Sequence, residues 1–191
     1  MAAWLDLTHD VRGWSLLDTG RMDDIVQSMS HPATQYPSIC SFLGNTSRLS
    51  ALRALFPQNN VTRRGPASLV QLHLSTTTAR SEHPVWFTET SFAHPSTLDG
   101  PFMNPSANRP RHCPVQQNQW ETSINIKDHI LIRLVFPWTH VACFFVDGES
   151  KLNTVAHWLK ASQGGIHTSP SDITSRMRVI LNLTSPTATY H

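Results

Sequence analysis

The chain has 191 residues, of which 39% are hydrophobic, enough for one domain with a real core. Only 15% of the residues are charged and the net charge is +2, which argues against a nucleic-acid-binding surface. The three cysteines are far apart and odd in number, which argues against a disulfide framework or a cysteine-based zinc site, and no apolar run approaches the ~18 residues of a membrane span.

Residues 1–37 are predicted as an extension ahead of the domain. Asp6 and Asp10 lie where a secretory signal would have a positive start and an apolar core, so we expect a cytoplasmic protein. Residues 28–38 are rich in proline and serine and lack apolar periodicity, which is typical of a loop.

The first predicted elements of the domain are short. Residues 39–43 form an apolar run typical of a strand, and residues 48–56 have the pattern of a helix that ends at Pro57. Residues 69–75 alternate apolar and polar side chains as a half-buried strand does, and residues 85–88 form another apolar run.

A long loop follows. Residues 93–119 are rich in proline, serine and asparagine and show no apolar periodicity. Loops of this length are either functional or disordered. We predict a flexible, disordered insertion here.

The second half of the domain alternates between helices and strands. Residues 125–136 and 151–162 have helical patterns, and residues 177–183 are strand-like. Residues 141–146 are uninterrupted and apolar, which predicts a strand covered on both faces. The first of these helices has four apolar positions on one side: Ile126, Ile130, Leu131 and Leu134.

This order of elements indicates an α/β domain over residues 38–186, with residues 187–191 as a tail. Strands that alternate with helices and form continuous apolar runs predict a mostly parallel sheet with helices on both faces. In such a sheet, ligands bind at the carboxyl ends of the strands. The candidate site is therefore the turn between residues 39–43 and residues 48–56.

A phosphate-binding loop at this turn would need the pattern Gly-x-x-x-x-Gly-Lys-Ser/Thr. The glycines let backbone N–H groups surround the phosphate, the lysine neutralises its charge, and the hydroxyl holds Mg²⁺. Counted from Gly44, the last three positions fall on Leu49, Ser50 and Ala51, so the second glycine, the lysine and the hydroxyl are absent.

No neighbouring residue supplies the missing charge in the sequence. The first lysine of the chain is Lys127, far downstream, so Arg48 or Arg53 would have to replace it as a bulkier, forked cation. We predict a degenerate nucleotide site with these remaining residues: Gly44, Asn45, Thr46, Ser47 and Arg48.

The segments SFLGNT and ALRALFP resemble the P-loop segment of a GTPase-like domain at the amino end of large multidomain proteins of filamentous fungi, which carry a patatin-like phospholipase domain further on. The resemblance covers residues 38–186 and implies a P-loop NTPase-like fold. It also implies that the strand 85–88 ends in a Mg²⁺-linked acid, for which Glu89 is the candidate. Four other segments fit the same region: RRGPASLVQLHLSTTT, HPVWFTETSF, LIRLVFPWTHVACFFVDGESKLNTVAHWLK and RMRVILNLTSP.

The chemistry of a patatin-type hydrolase is absent from the sequence. Such an enzyme needs a serine in Gly-x-Ser-x-Gly and a glycine-rich oxyanion loop. Ser15 and Ser150 lack the closing glycine, and no glycine-rich loop occurs. Asp147 and Gly148 match the family's Asp-Gly pair, but between a strand and a helix they predict a turn. We expect no catalytic residue.

The eleven histidines raise the question of a metal site. Only His112 and Cys113 are adjacent ligand types, and they lie in the predicted loop without partners at metal-binding spacing. We expect no metal and no cofactor.

These observations predict a non-catalytic, degenerate NTPase-like regulatory or interaction domain, as a fragment or paralogue of a fungal patatin-like phospholipase. The expected partners are proteins or a downstream lipase domain, and we expect neither nucleotide nor nucleic-acid binding. Two alternatives stay open: part of a GTP-regulated lipid acyl hydrolase whose catalytic domain lies outside this chain, and a truncated product without independent function.

Overall fold

The computed structural model of the protein describes residues 3–61, 68–92, 111–115, 123–163 and 178–183. The strands in these residues are β1 (Ala3–Asp10), β2 (Gly13–Asp18), β3 (Ser38–Gly44), β4 (Val70–Leu74), β5 (Val85–Ser91), β6 (Arg111–Pro114), β7 (Val141–Val146) and β8 (Arg178–Leu183). The helices are α1 (Arg21–Ser28), α2 (Ser47–Leu55), α3 (Ser123–Ile130) and α4 (Glu149–Gln163), and α3 continues into a π-helix (Leu131–Val135) and a 3₁₀-helix (Phe136–Trp138).

All eight strands belong to one mixed sheet with the order β6-β2-β1-β4-β5-β3-β7-β8. Strand β3 pairs in parallel with β5 on one side and β7 on the other, and β7 pairs in parallel with β8. The four remaining pairs, β6–β2, β2–β1, β1–β4 and β4–β5, are antiparallel. The α/β class is thus confirmed.

The predicted mostly parallel sheet is wrong, because four of the seven strand pairs are antiparallel. The reason lies in two connections. Residues 75–84 join β4 to β5 without a helix, and residues 11–12 join β1 to β2 as a tight hairpin. Parallel neighbours need a crossover of a dozen or more residues, whereas antiparallel neighbours can be joined by a short loop.

The predicted boundary at residue 38 falls inside this sheet, because β1 and β2 are paired with the rest of it. Within the predicted loop 93–119, Arg111–Pro114 form β6, which pairs with β2. All four residues of β6 are exposed, so its sequence carries no apolar alternation to reveal a strand. The rest of that loop and the tail 187–191 lie outside the described residues.

Helices cover both faces of the sheet, as predicted. On one face, α2 packs against a cluster that includes Phe42, Leu52, Phe87 and Phe145. On the other face, α1, α3 and α4 contribute to a larger cluster that includes Ile25, Leu131, Phe144 and Trp158. Within the described residues, no helix is long and apolar enough to span a membrane.

The predicted helix over residues 125–136 is helical, but its apolar face shifts partway along. Leu134 is 42% exposed, whereas Ile132 and Val135 are buried. The π-helix explains the shift, because its wider turn rotates the following side chains away from the regular helical spacing. The expectation that Leu134 faces the core is therefore wrong.

A matched pair of variants tests the π-helix. We expect Ile132→Ala to lower the free energy of unfolding by about 2 kcal/mol, because it removes a buried side chain. Leu134→Ala should change it by about 0.5 kcal/mol or less, because that side chain faces solvent. Urea denaturation measures both, and the reverse ranking would mean that a regular α-helix continues through this segment.

Candidate functional site

The turn that the sequence singles out lies at the carboxyl end of β3. The chain runs from β3 to β4 and β5 on one side of it, then crosses to β7 on the other. The end of β3 is therefore the point where the connections reverse direction, and open α/β sheets bind their ligands in the crevice at such a point.

Gly44 ends β3 and brings it very close to β7. Its φ of 134° lies in the region that favours glycine, and a Cβ atom there would be 2.1 Å from the carbonyl oxygen of Phe145. The same oxygen accepts a hydrogen bond from the backbone N–H of Asn45 at 3.0 Å. This glycine is thus needed for the close approach of two strands.

The side chain of Asn45 accepts hydrogen bonds from donors of the loop itself. Its Oδ1 accepts hydrogen bonds from the backbone N–H of Ser47, at 3.0 Å, and from the Ser47 hydroxyl. In phosphate-binding loops, N–H groups at the start of the helix point at the anion. Here one of them is bound by a side chain, while Thr46 at the helix start is exposed.

The guanidinium of Arg48 folds back over the loop. Its Nη1 donates to the carbonyl oxygens of Gly44 at 2.9 Å and Asn45 at 3.0 Å. Its Nε lies 3.8 Å from Oε2 of Glu89. Arg53 instead points to the carbonyl oxygen of Val61. Arg48 therefore binds the loop's carbonyl groups and a carboxylate of the same chain.

Glu89 lies inside β5 rather than at its end. The strand continues through Ser91, and Glu89 pairs with Phe42 of β3, so the prediction that the strand ends at this acid is wrong. The side chain is 4% exposed. Burial raises the pKa of the Glu89 carboxyl, and the charges of Arg48 and Arg53 oppose that rise.

His73 of β4 completes a buried polar cluster with Glu89 and Arg48. Its Nε2 lies 4.0 Å from Oε1 of Glu89, and its ring stacks on Phe87 at 4.7 Å. His73 Nε2, Arg48 Nε and Glu89 Oε2 have no hydrogen-bond partner in the described part of the chain. Burial lowers the pKa of His73 to about 4, so the cluster holds one ion pair and a neutral imidazole.

The neutral, buried state of His73 makes a testable contribution to stability. Its pKa is about 4 in the folded protein and near 6.5 when unfolded, so the unfolded chain binds more protons between these values. The free energy of unfolding should therefore fall as the pH drops through this window, with a contribution that approaches ~1.4 kcal/mol per pH unit. Denaturation of the wild type and His73→Phe between pH 4 and 7 measures it, and parallel curves would contradict it.

Lys127 was missed as a site residue because it is distant in the sequence. It is 5% exposed, and its Nζ donates to the carbonyl oxygen of Ser91 at the end of β5. Ser91 pairs with Gly44, so α3 brings a lysine beside the loop that lacks one. The helical pattern indicated that Ile126 and Ile130 are buried, but nothing in it placed Lys127 at this edge.

The other residues considered for chemistry are separate from this edge or form ordinary turns. Asp147 and Gly148 form the turn between β7 and α4, as predicted. His112 and Cys113 are exposed on β6. Among the described residues, no three His, Cys, Asp or Glu side chains are grouped to hold a metal ion. No family model, curated protein or solved structure shows a significant match to this chain.

Proposed function

We propose that this chain is a non-catalytic, degenerate NTPase-like domain that serves as a regulatory or interaction module. One observation carries the proposal: the Arg48 guanidinium is hydrogen-bonded to the carbonyl oxygens of Gly44 and Asn45. A nucleotide phosphate at this position would face these carbonyl groups and a guanidinium whose Nη1 already donates to them. The loop is therefore poorly suited to bind a Mg²⁺-nucleotide complex.

The position of the loop supports an NTPase-like origin. Strand β3 leads through Gly44 into α2 and has parallel neighbours on both sides, which is where nucleotides bind in open α/β sheets. Together with the sequence resemblance, this favours a P-loop-like architecture related to the GTPase-like region of fungal patatin-like proteins.

The buried ion pair gives the module a nucleotide-independent conformation. In a working site, bound phosphate and Mg²⁺ supply the charges around the loop and the nearby acid. Here Arg48 and Glu89 neutralise each other within the chain, at 13% and 4% side-chain exposure. Such a domain can present one fixed surface to a protein partner or to a lipase domain.

Titration of the purified protein with fluorescent GTP and ATP tests this proposal. We expect no saturable binding in the micromolar range in 5 mM Mg²⁺, and no difference between that titration and one in EDTA. The same titration is carried out with the Arg48→Met variant, which removes the guanidinium from the Gly44 and Asn45 carbonyl oxygens without introducing a lysine. Micromolar, Mg²⁺-dependent binding to the wild-type chain would contradict the proposal and favour the GTP-regulated alternative.

A further inference from the structure

The two edge strands of the sheet differ in how well they are protected against pairing with another chain. Natural edge strands are commonly blocked by charged side chains or by proline. At one edge, β6 has both, because it begins with Arg111 and ends with Pro114. At the other edge, β8 has neither after Arg178, and among the described residues it pairs with β7 alone. Its central residues Ile180 and Leu181 are 53% and 47% exposed, so this edge is apolar and unprotected.

Helix α4 presents a stripe of exposed side chains beside the β8 edge. Four exposed residues follow one another at intervals of three or four residues and share one side of the helix, here called the α4 stripe: Glu149, Leu152, Ala156 and Lys160. Outside the stripe, Lys151 lies 5.8 Å from the Phe92 ring after β5, and the charge of His157 acts on Asp128 of α3. Because α4 crosses from β7 to β8, the α4 stripe lies on the side away from α3, toward the β8 edge.

The α4 stripe is complementary in charge to a second copy of itself. It begins with an acidic residue, Glu149, and ends with a basic residue, Lys160. When two copies lie antiparallel around a two-fold axis, each Glu149 faces the Lys160 of the other copy, and each Leu152 faces an Ala156. A parallel arrangement would bring like charges together, so the charges select the antiparallel one.

The same two-fold axis fits β8. An axis perpendicular to the sheet makes two copies of β8 antiparallel neighbours, with Ile180 and Leu181 at its centre. These residues pair with Cys143 and Phe144 of β7, about 8 Å before its end at Val146. The midpoint of the α4 stripe, between residues 154 and 155, lies about 8 Å from its start. A two-residue turn joins β7 to α4, so both midpoints lie at nearly the same level and one axis serves both elements.

We propose that this chain forms a homodimer in which β8 pairs antiparallel with β8 of a second copy and the two α4 stripes meet across the same two-fold axis. The assembly is closed, because the same surface serves both copies. It joins two eight-stranded sheets into one continuous sheet. Strand β6 is a poor partner for β8, because Pro114 has no N–H to donate. The dimer goes beyond the proposed function and does not depend on it, because none of its contacts involves the Gly44 loop.

Sedimentation equilibrium of the full chain over a range of concentrations, at low ionic strength, tests the dimer. We expect a monomer–dimer equilibrium with a Kd in the micromolar range. Ile180→Lys should raise this Kd about tenfold or more, because it places a charge at the centre of the shared edge. Leu55→Lys is the matched control. Leu55 is an exposed apolar residue of α2, on the opposite face of the sheet from α4, so its variant should keep the wild-type Kd.

Charge reversal tests the α4 stripe independently of the strand. Lys160→Glu brings like charges together at two symmetric places, so it should raise the dimer Kd about fivefold or more. The double variant Glu149→Lys/Lys160→Glu restores opposite charges at both places and should recover most of the wild-type affinity. A substitution that only weakened the fold would not be rescued by a second one on the same helix.

The outcomes separate the dimer from the proposed function. A chain that is monomeric at every concentration, an assembly larger than a dimer, or a Kd that either Ile180→Lys or Lys160→Glu leaves unchanged would overturn the dimer. If circular dichroism shows that Ile180→Lys does not fold, the α4 variants decide the result. A loss in Lys160→Glu that the double variant does not recover would overturn the antiparallel contact of the α4 stripes. Nucleotide binding by a chain that dimerises as expected would contradict the proposed function and leave the dimer in place.

Discussion

Gly44→Ala is expected to lower the free energy of unfolding by about 4 kcal/mol or more, or to prevent folding. The new Cβ would lie 2.1 Å from the carbonyl oxygen of Phe145, which belongs to the backbone of β7, a strand paired on both sides. Relief would require β3 and β7 to separate, since no rotation of a side chain moves that oxygen. The φ of 134° adds strain for any residue with a Cβ. Urea denaturation followed by circular dichroism measures the loss.

Gly148→Ala is the matched control for this prediction. Nothing lies within 4 Å of a Cβ at Gly148, and its φ is not in the positive region. We expect its free energy of unfolding to stay within about 0.5 kcal/mol of the wild type. If Gly44→Ala were equally mild, β3 and β7 could not approach each other as closely as the pairing of Gly44 with Phe145 requires.

The elements from residue 38 onward, with the exception of β6, could be predicted because each has a clear apolar pattern. Residues 141–146 coincide with β7, and residues 39–43 lie within β3. These strands are buried on both faces between helices, so nearly every side chain is apolar. Burial imposes the pattern, and the pattern then reveals the strand.

Strand direction and the amino-terminal hairpin could not be found in this way. An apolar run has no direction, so β4 looks the same whether it is parallel or antiparallel to β5. In β1, Asp6 interrupts the apolar run although it is 4% exposed. Its Oδ1 accepts hydrogen bonds from the N–H groups of Leu7 and Leu69, so a long-range contact makes a buried carboxyl possible.

The candidate site likewise has features that follow from consecutive residues and features that depend on tertiary contacts. The absence of a second glycine and a lysine is a property of consecutive residues, so it follows from the sequence after Gly44 alone. The direction of the Arg48 side chain and the arrival of Lys127 at Ser91 depend on tertiary packing. Sequence reasoning singled out the turn after β3 and did not anticipate the charges that other elements bring to it.

Arg48→Met is expected to lower the free energy of unfolding by about 3–5 kcal/mol at pH 8. Methionine keeps an unbranched stem at this position of α2, but it leaves the Glu89 carboxylate buried without its cation. The carbonyl oxygens of Gly44 and Asn45 also lose the hydrogen bonds that Arg48 Nη1 donates to them. Chemical denaturation of the variant and the wild type at one ionic strength gives the difference.

A second variant and a change of pH identify the charge as the cause of this loss. In Arg48→Met/Glu89→Gln the buried charge is gone, so much of the lost stability should return. Burial raises the pKa of Glu89, and removing Arg48 raises it further, so the folded variant binds a proton more readily than the unfolded chain. The difference in free energy of unfolding between Arg48→Met and the wild type should therefore shrink as the pH falls from 8 to 5. A deficit that stays constant over this range, with no recovery in the double variant, would assign the loss to packing instead.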